Sequence, residues 1–321
     1  MPSVLSAKHF HDEQAAYDFV EARVWPNGAT CPHCGGVERI SKMQGKSTRI
    51  GAYKCYQCRK QFTVKVGTVF ESSHVPMNIW LQAIALMSSS KKGISSNQLH
   101  RVLGVTLKTA WFMSHRIREA MRDGSLSPMG GSGKVVEADE TYQGRRKTVR
   151  DVRTSGKPYL KPKGKKGKPA KRAIISLVER GGSVRSFHVE NADKATVNQI
   201  VGENIARESR IITDESRLYN DVAGNFHAHE TVKHSAGEYV RYDDGFSIHS
   251  NTVENVFSIL KRGMTGVYQH CAEKHLHRYL AEFDFRYNNR IALGVNDTMR
   301  TDQAIMGIVG KRLTYRTASG E

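Results

Sequence analysis

Two aspartates stand where strands would leave a core. In VVEADE (135–140), Asp139 follows an apolar run and precedes the polar ETYQGRR. In RIITDES (210–216), Asp214 follows Ile211, Ile212 and Thr213 in the same way. A lone Asp at a strand end is more often a turn former. Two such ends side by side make an oxygen site for a hard divalent cation such as Mg²⁺, which keeps waters for a phosphate group. A third carboxylate lies in HSNTVENVFSILKRG (249–263), where Glu254 has Asn251 three residues before it and Lys261 seven after it. Asn251 and Glu254 also have the spacing of a capping box, with Asn251 as N-cap and Glu254 at N3. On a helix starting near 251, Val253, Val256, Phe257 and Leu260 form the inward stripe. Glu254, Ser258 and Lys261 then share another flank, with Glu254 and Lys261 two turns or roughly 10 Å apart. That places a carboxylate for a metal beside a cation for a nucleic-acid backbone.

A second constellation is sulfur. Four of the five cysteines fall in CPHC (31–34) and CYQC (55–58), a C-x2-C-x20-C-x2-C pattern. Cys31, Cys34, Cys55 and Cys58 are the ligand set of a zinc ribbon. Pro32 and Gly35 suit the tight turn that aims two thiolates at one ion. Four thiolates leave no open coordination position, so this zinc is structural. Cys271 has no such partner, and His249, His270, His275 and His277 show no metal spacing.

These residues need elements to carry them. KHFHDEQAAYDFVEARV (8–24) has helical spacing and leads into the ribbon. NIWLQAIALMSSS reads as a packed helix. Two more helices follow, capped by Ser95 or Ser96 and by Thr106 and split at LGVT (103–106), a helix-turn-helix signature. The second carries Lys108, His115, Arg116 and Arg118 on its polar side, and DGSLSPMGGSG (123–133) reads as a linker. From 134 the pattern changes to strands at 134–140, 172–180 and 183–190, a helix at 194–206, strands at 210–216 and 229–234, and helices near 251–262 and 275–288. Such an order is compatible with a mixed-sheet α/β domain.

The chain has 321 residues, enough for two or three domains, with 39% hydrophobic residues and a net charge of +18. That excess makes a polyanion the leading partner. Much of it sits in 143–172, where 13 Lys/Arg face one acid, Asp151. A Gly- and Pro-interspersed segment of this kind builds no core, and it gains affinity for DNA by releasing counterions. No window approaches 18 uncharged apolar residues, and the N-terminus lacks a signal peptide's basic start and apolar run. The expected location is the cytoplasm.

CPHC…CYQC, the helical middle, VEADETYQG, TDESRLY, HSNTVENVFSILKRG and HLHRYLAEFDFRYNNR occur in the order seen in the zinc-ribbon insertion-sequence transposases of the ISXO-like group, bacterial relatives of the Merlin transposases. The chain resembles that family over about residues 8–295. The resemblance implies an RNase H-like core with a DDE site, and hence a multidomain α/β protein. Its expected parts are an N-terminal helix and zinc ribbon (1–66), a helix-turn-helix-like DNA-binding region (67–128), a catalytic domain (129–295) with the basic insertion 143–172, and a C-terminal tail (296–321). Asp139 and Asp214 match the first two acids, and the third position lies within Asn251–Glu254. Lys261 follows Glu254 at the spacing common in DDE enzymes, which favours Glu254 and leaves Asn251 as the alternative.

The implied reaction is phosphoryl transfer on DNA, with two Mg²⁺ (or Mn²⁺) roughly 4 Å apart. The implied partners are double-stranded DNA, as terminal repeats and target, and further copies of the chain in a dimer or larger assembly on the bacterial nucleoid. The expected DNA contacts are Lys108, Arg116, Arg118, Arg145, Arg146, Lys147, Lys163, Lys165, Lys166, Lys168, Lys261 and Arg262. An RNase H-like nuclease without strand transfer and a non-catalytic DNA-binding regulator derived from a transposase are the other readings.

Overall fold

The computed structural model describes residues 4–124, 127–144, 150–152, 158–160, 171–243 and 245–314. The chain divides into two compact units, Met1–Asp123 with Asn289–Glu321, and Gly124–Asn288. Among the described residues, no helix is long and apolar enough to cross a membrane.

The first unit opens with α1 (Glu13–Val24), capped by Asp12, whose side chain accepts from the Ala15 N–H. A three-stranded antiparallel ribbon follows, β1 (Ile40–Lys42), β2 (Tyr53–Cys55) and β3 (Gln61–Phe62). Its small core is Cys31, Cys55 and Phe62, with Trp25, Ile40 and Tyr53 packed on it. Next come α2 (Met77–Ser89), α3 (Ser96–Leu103) and α4 (Leu107–Ala120). Ser95 caps α3 and Thr106 caps α4, each side chain accepting an N–H three residues on. Gly104 between them sits at φ 66°, where any other residue would be strained.

The segment expected as a tail instead carries α8 (Asp297–Met306), capped by Asn296 and packed on α2. Ala304, Ile305 and Ile308 are fully buried there, which anchors the segment in the first unit. In α4, Arg116 and Arg118 are buried. Arg116 donates to the carbonyls of Val69, Glu71 and Leu313, and Arg118 donates to Ser114 Oγ at 3.1 Å. Both were expected on the DNA face; their guanidinium groups instead satisfy internal acceptors. Lys108, in the first turn of α4, is exposed as expected.

The second unit is built on a five-stranded sheet. Its strands are β4 (Val135–Gln143), β7 (Arg172–Glu179), β8 (Val184–Val189), β9 (Arg210–Asp214) and β10 (Ala228–Val232), in the order β10-β9-β4-β7-β8. The pairs β4–β7 and β7–β8 are antiparallel, while β9 runs parallel to β4 and to β10. A three-strand meander, one helical crossover α5 (Lys194–Asn204) and two parallel strands make the RNase H-like core. Inside the insertion, β5 (Arg150–Val152) and β6 (Pro158–Leu160) form a short hairpin, and a second hairpin joins β11 (Arg241–Asp243) to β12 (Phe246–Ile248).

Helices cover both faces of the sheet. α5 packs on one through Val197, Ile200 and Val201 against Val136, Ala138, Leu177 and Ile211. On the other lie α6 (Asn251–Gly263) and α7 (Leu276–Asn288). Val253, Val256 and Phe257 of α6 meet Val178 and Val184, and Leu260 joins Leu276, Tyr279, Leu280 and Phe283 over Ile174. The inward stripe read from the sequence is therefore the one that packs.

Candidate active site and zinc centre

Pairing of β4 with β9 places the two aspartates. Val136 lies opposite Ile211 and Glu137 opposite Ile212. Continuing that parallel register by two residues sets Asp139 level with Asp214, on the α6 face, since residues two apart share a face. One oxygen from each of Asp139, Glu140 and Asp214 falls within a 4.8 Å group. Asp139 Oδ1 accepts the Glu140 N–H at 2.7 Å, and Asp214 Oδ1 accepts the Ser216 N–H at 3.0 Å. Asp214 closes β9 and is fixed by the chain just after it, whereas Asp139, expected at a strand end, lies inside β4, which stays paired with β7 as far as Gln143.

Like charges in a half-buried site raise one another's pKa. Burial pushes the Asp139 carboxyl up to about 8, with Asp214, Glu140 and Glu254 adding to it. Burial and the Asp214 charge push Glu140 up as well. Tyr219, buried against this group, has its hydroxyl held well above the ordinary value, first by burial and then by the charges of Glu140 and Asp139. A cluster of oxygens that resists ionising together is the donor set a divalent cation satisfies.

Glu140 was missed by sequence reasoning. Strand alternation puts it with Val136 and Ala138 on the α5 face, away from Asp139. Both side chains are nevertheless long enough to bring one oxygen each, with one from Asp214, within 4.8 Å of one another. Its signal was the adjacency of two acids in VVEADE.

Asp139, Glu140, Thr141, Glu254, Phe257, Ser258, Lys261 and Arg262 line one cleft of about 470 Å³. Glu254 therefore borders the aspartate site, although it lies outside the tight group of three. Its Oε1 accepts from Ser250 Oγ at 3.3 Å and lies 3.3 Å from His234 Nε2. Lys261 and Arg262 are exposed. Lys261 Nζ stands 6.0 Å from the Phe257 ring centroid, and Arg262 donates to Ser258 Oγ at 2.7 Å.

The expected capping box is absent. Ser250, not Asn251, is the N-cap residue, and it makes no side-chain cap. Asn251 is the first helical residue and is exposed. The Thr252 and Val253 N–H groups are satisfied by Glu137, from β4. Arg145, Arg146, Lys147, Lys163, Lys165, Lys166 and Lys168 lie outside the described residues.

The four ribbon sulfurs come together as the spacing required. Cys31 Sγ is 3.6 Å from Cys58 Sγ, and Cys34 Sγ is 3.7 Å from Cys55 Sγ. A tetrahedral zinc with bonds of about 2.3 Å needs sulfurs roughly 3.8 Å apart; these two separations match that, and all four ligand atoms lie within 4.8 Å of one another, so the set suits Zn²⁺. Gly35, at φ 73°, makes the turn out of the first pair.

Residues 130–288 match the ISXO2-like transposase domain, and residues 11–61 match the transposase zinc-ribbon domain. A protein of the transposable element ISH50 from Halobacterium salinarum is 28% identical over 291 residues, which covers 88% of this chain and 93% of that protein. Among solved structures, a Mos1 transposase paired-end complex with its left transposon end is 10% identical with a TM-score of 0.21, covering 67% of this chain and 77% of that one. The Mos1 strand transfer complex is 12% identical with a TM-score of 0.19 over the same shares. Likenesses at that level lend nothing to the assignment, which rests on the matched domains. With the cysteine quartet inside one matched region and the acids of β4 and β9 inside the other, the chain belongs to the zinc-ribbon insertion-sequence transposases with an ISXO2-like DDE domain.

Proposed function

We propose that this transposase uses Asp139, Asp214 and Glu254 as its catalytic acids, on the double-stranded ends of its own insertion sequence and then on target DNA. The carrying observation is the shared cleft: Glu254 lines it together with Asp139 and Glu140, whereas Asn251 is not among its lining residues. Asp139, Asp214 and Glu254 would hold divalent cations, Mg²⁺ or Mn²⁺, which when bound would supply positive charge to the reacting phosphate and lower the pKa of the attacking water or 3′-hydroxyl.

The chain's own residues do the rest. Asp139 and Asp214 present oxygens from a rigid sheet, so little reorganisation is needed when the site fills. Lys261 and Arg262, on the cleft wall, give the DNA backbone a cationic track and fix its register without reading sequence. Glu140 adds a nearby carboxylate, and Tyr219 holds a neutral hydroxyl against it. The ribbon, the exposed first turn of α4 with Lys108, and the basic segment 143–172 supply further DNA contacts. The working form is a dimer or larger assembly on chromosomal DNA, because two element ends must be handled together.

The test compares Glu254→Gln with Asn251→Ala in a Mg²⁺-dependent cleavage assay on element-end DNA. Loss of cleavage in Glu254→Gln with activity retained in Asn251→Ala is expected. The reverse pattern assigns the third position to Asn251.

A further inference from the structure

The start of α6 is held from outside the helix. Glu137 is fully buried on β4. Its Oε2 accepts the N–H groups of Thr252 at 2.8 Å and Val253 at 3.0 Å. Its Oε1 accepts Thr252 Oγ1 at 2.8 Å and Arg180 Nε at 2.6 Å. Arg180, just past β7, donates to the His249 carbonyl at 2.7 Å and to the Ser247 carbonyl at 2.5 Å. Its own N–H donates to the Val135 carbonyl at 3.0 Å. His249 Nδ1 stands 3.3 Å from Glu137 Oε1.

Thr252 and Val253 are the N2 and N3 positions, whose free N–H groups an N-cap side chain normally satisfies. A carboxylate there also meets the positive end of the helix dipole. A local cap such as Asn251 would fix where the helix begins, but not where it stands relative to the sheet. A cap supplied by the sheet does both.

Glu137 precedes Asp139 by two residues on the same strand face, and Val253 immediately precedes Glu254. From this arrangement we infer that Glu137 and Arg180 are positioning residues of the catalytic centre, a strut that sets the place of Glu254 against Asp139 without touching the reacting atoms. The inference rests on the proposed role of Glu254. A buried ion pair is by itself weak evidence for stability. This one is spent on two helix N–H groups and on the chain entering the helix, which is the geometry of a strut.

Glu137→Gln keeps the side-chain volume and one oxygen acceptor, and Glu137→Ala removes the link. Two measurements on the full chain test the idea. Amide hydrogen exchange at Thr252 and Val253 should quicken at least tenfold in Glu137→Ala and less in Glu137→Gln, with the β4 amides as internal reference. In the cleavage assay, Glu137→Gln should raise the half-saturating Mg²⁺ concentration about tenfold, the range typical for partners that orient metal ligands. Its affinity for DNA should stay within twofold, and excess Mn²⁺ should recover most of the rate. Damage that is merely structural would lower the rate at every metal concentration and leave half-saturation in place. Unchanged exchange, or unchanged half-saturation, overturns the inference. Full cleavage by Glu254→Gln would instead overturn the role of Glu254, and the exchange result would still report on the strut.

Discussion

Asp139 and Asp214 are the residues from which the chemistry is argued. Asp139 presents its carboxylate from within β4 and Asp214 from the last position of β9, with Glu140 beside them. Asp139→Asn and Asp214→Asn should each lower cleavage by at least about a hundredfold, since even outer-shell partners of metal ligands cost up to that much. DNA binding in a mobility-shift assay should be retained. The proton competes with the cation at the same oxygens. With its carboxyl at about 8 in the metal-free protein, Asp139 carries a proton through neutral pH. The folded-state pKa is raised above the unfolded value, so this group's contribution to the metal-free protein is lost as pH rises through the window up to about 8. A divalent cation offsets that loss by replacing the proton. Thermal melts with and without Mg²⁺ should show a larger stabilisation at about pH 8.5 than at about pH 6, and an equal shift at both would contradict the assignment of Asp139 as a ligand.

At the scale of elements, the ribbon and α6 carry most of the argument. Structural zinc in small ribbons contributes about 10–16 kcal/mol of folding free energy. Cys55→Ser should therefore cost the bound zinc and the ribbon fold, read as loss of one equivalent of metal and loss of end recognition; zinc content unchanged from wild type would contradict it. Phe257 is buried between α6 and the sheet. Truncating it to Ala should destabilise by about 3–5 kcal/mol, measured by chemical unfolding.

What the sequence disclosed at this scale follows a physical divide. Thr106, and Ser95 as one of two adjacent serines, were legible as caps because a cap side chain and its N–H are three residues apart. The α6 stripe was legible because periodicity is local. Asn251 was misread because the real cap, Glu137, lies 115 residues upstream of Thr252. Arg116 and Arg118 were misread because charge does not say which face of a helix a neighbour covers. Residues 296–321 read as a tail although Asn296 is a sound N-cap, its side chain accepting the Met299 N–H at 2.9 Å. Glu140 needed the sheet register, which pairs strands far apart in the chain.

For the whole molecule, the strong positive charge and the acidic site divide the labour, with attraction to DNA on one side and chemistry on the other. Changing Lys163, Lys165, Lys166 and Lys168 to Gln should weaken binding to all DNA sequences alike. It should also flatten the slope of log affinity against log salt by about 0.9 for each phosphate that is no longer neutralised. A slope unchanged in the fourfold variant would remove that segment from the interface. The central claim is that this protein cuts and rejoins DNA with Asp139, Asp214 and Glu254 as its catalytic acids. Its most direct test is a strand-resolved gel of DNA bearing the element's own end, incubated with purified protein and Mg²⁺. Wild type should give both cleaved and joined strands, and Asp214→Asn should give neither while still binding the DNA. Products from Asp214→Asn at the wild-type level, or binding without cleavage by the wild type, would contradict it.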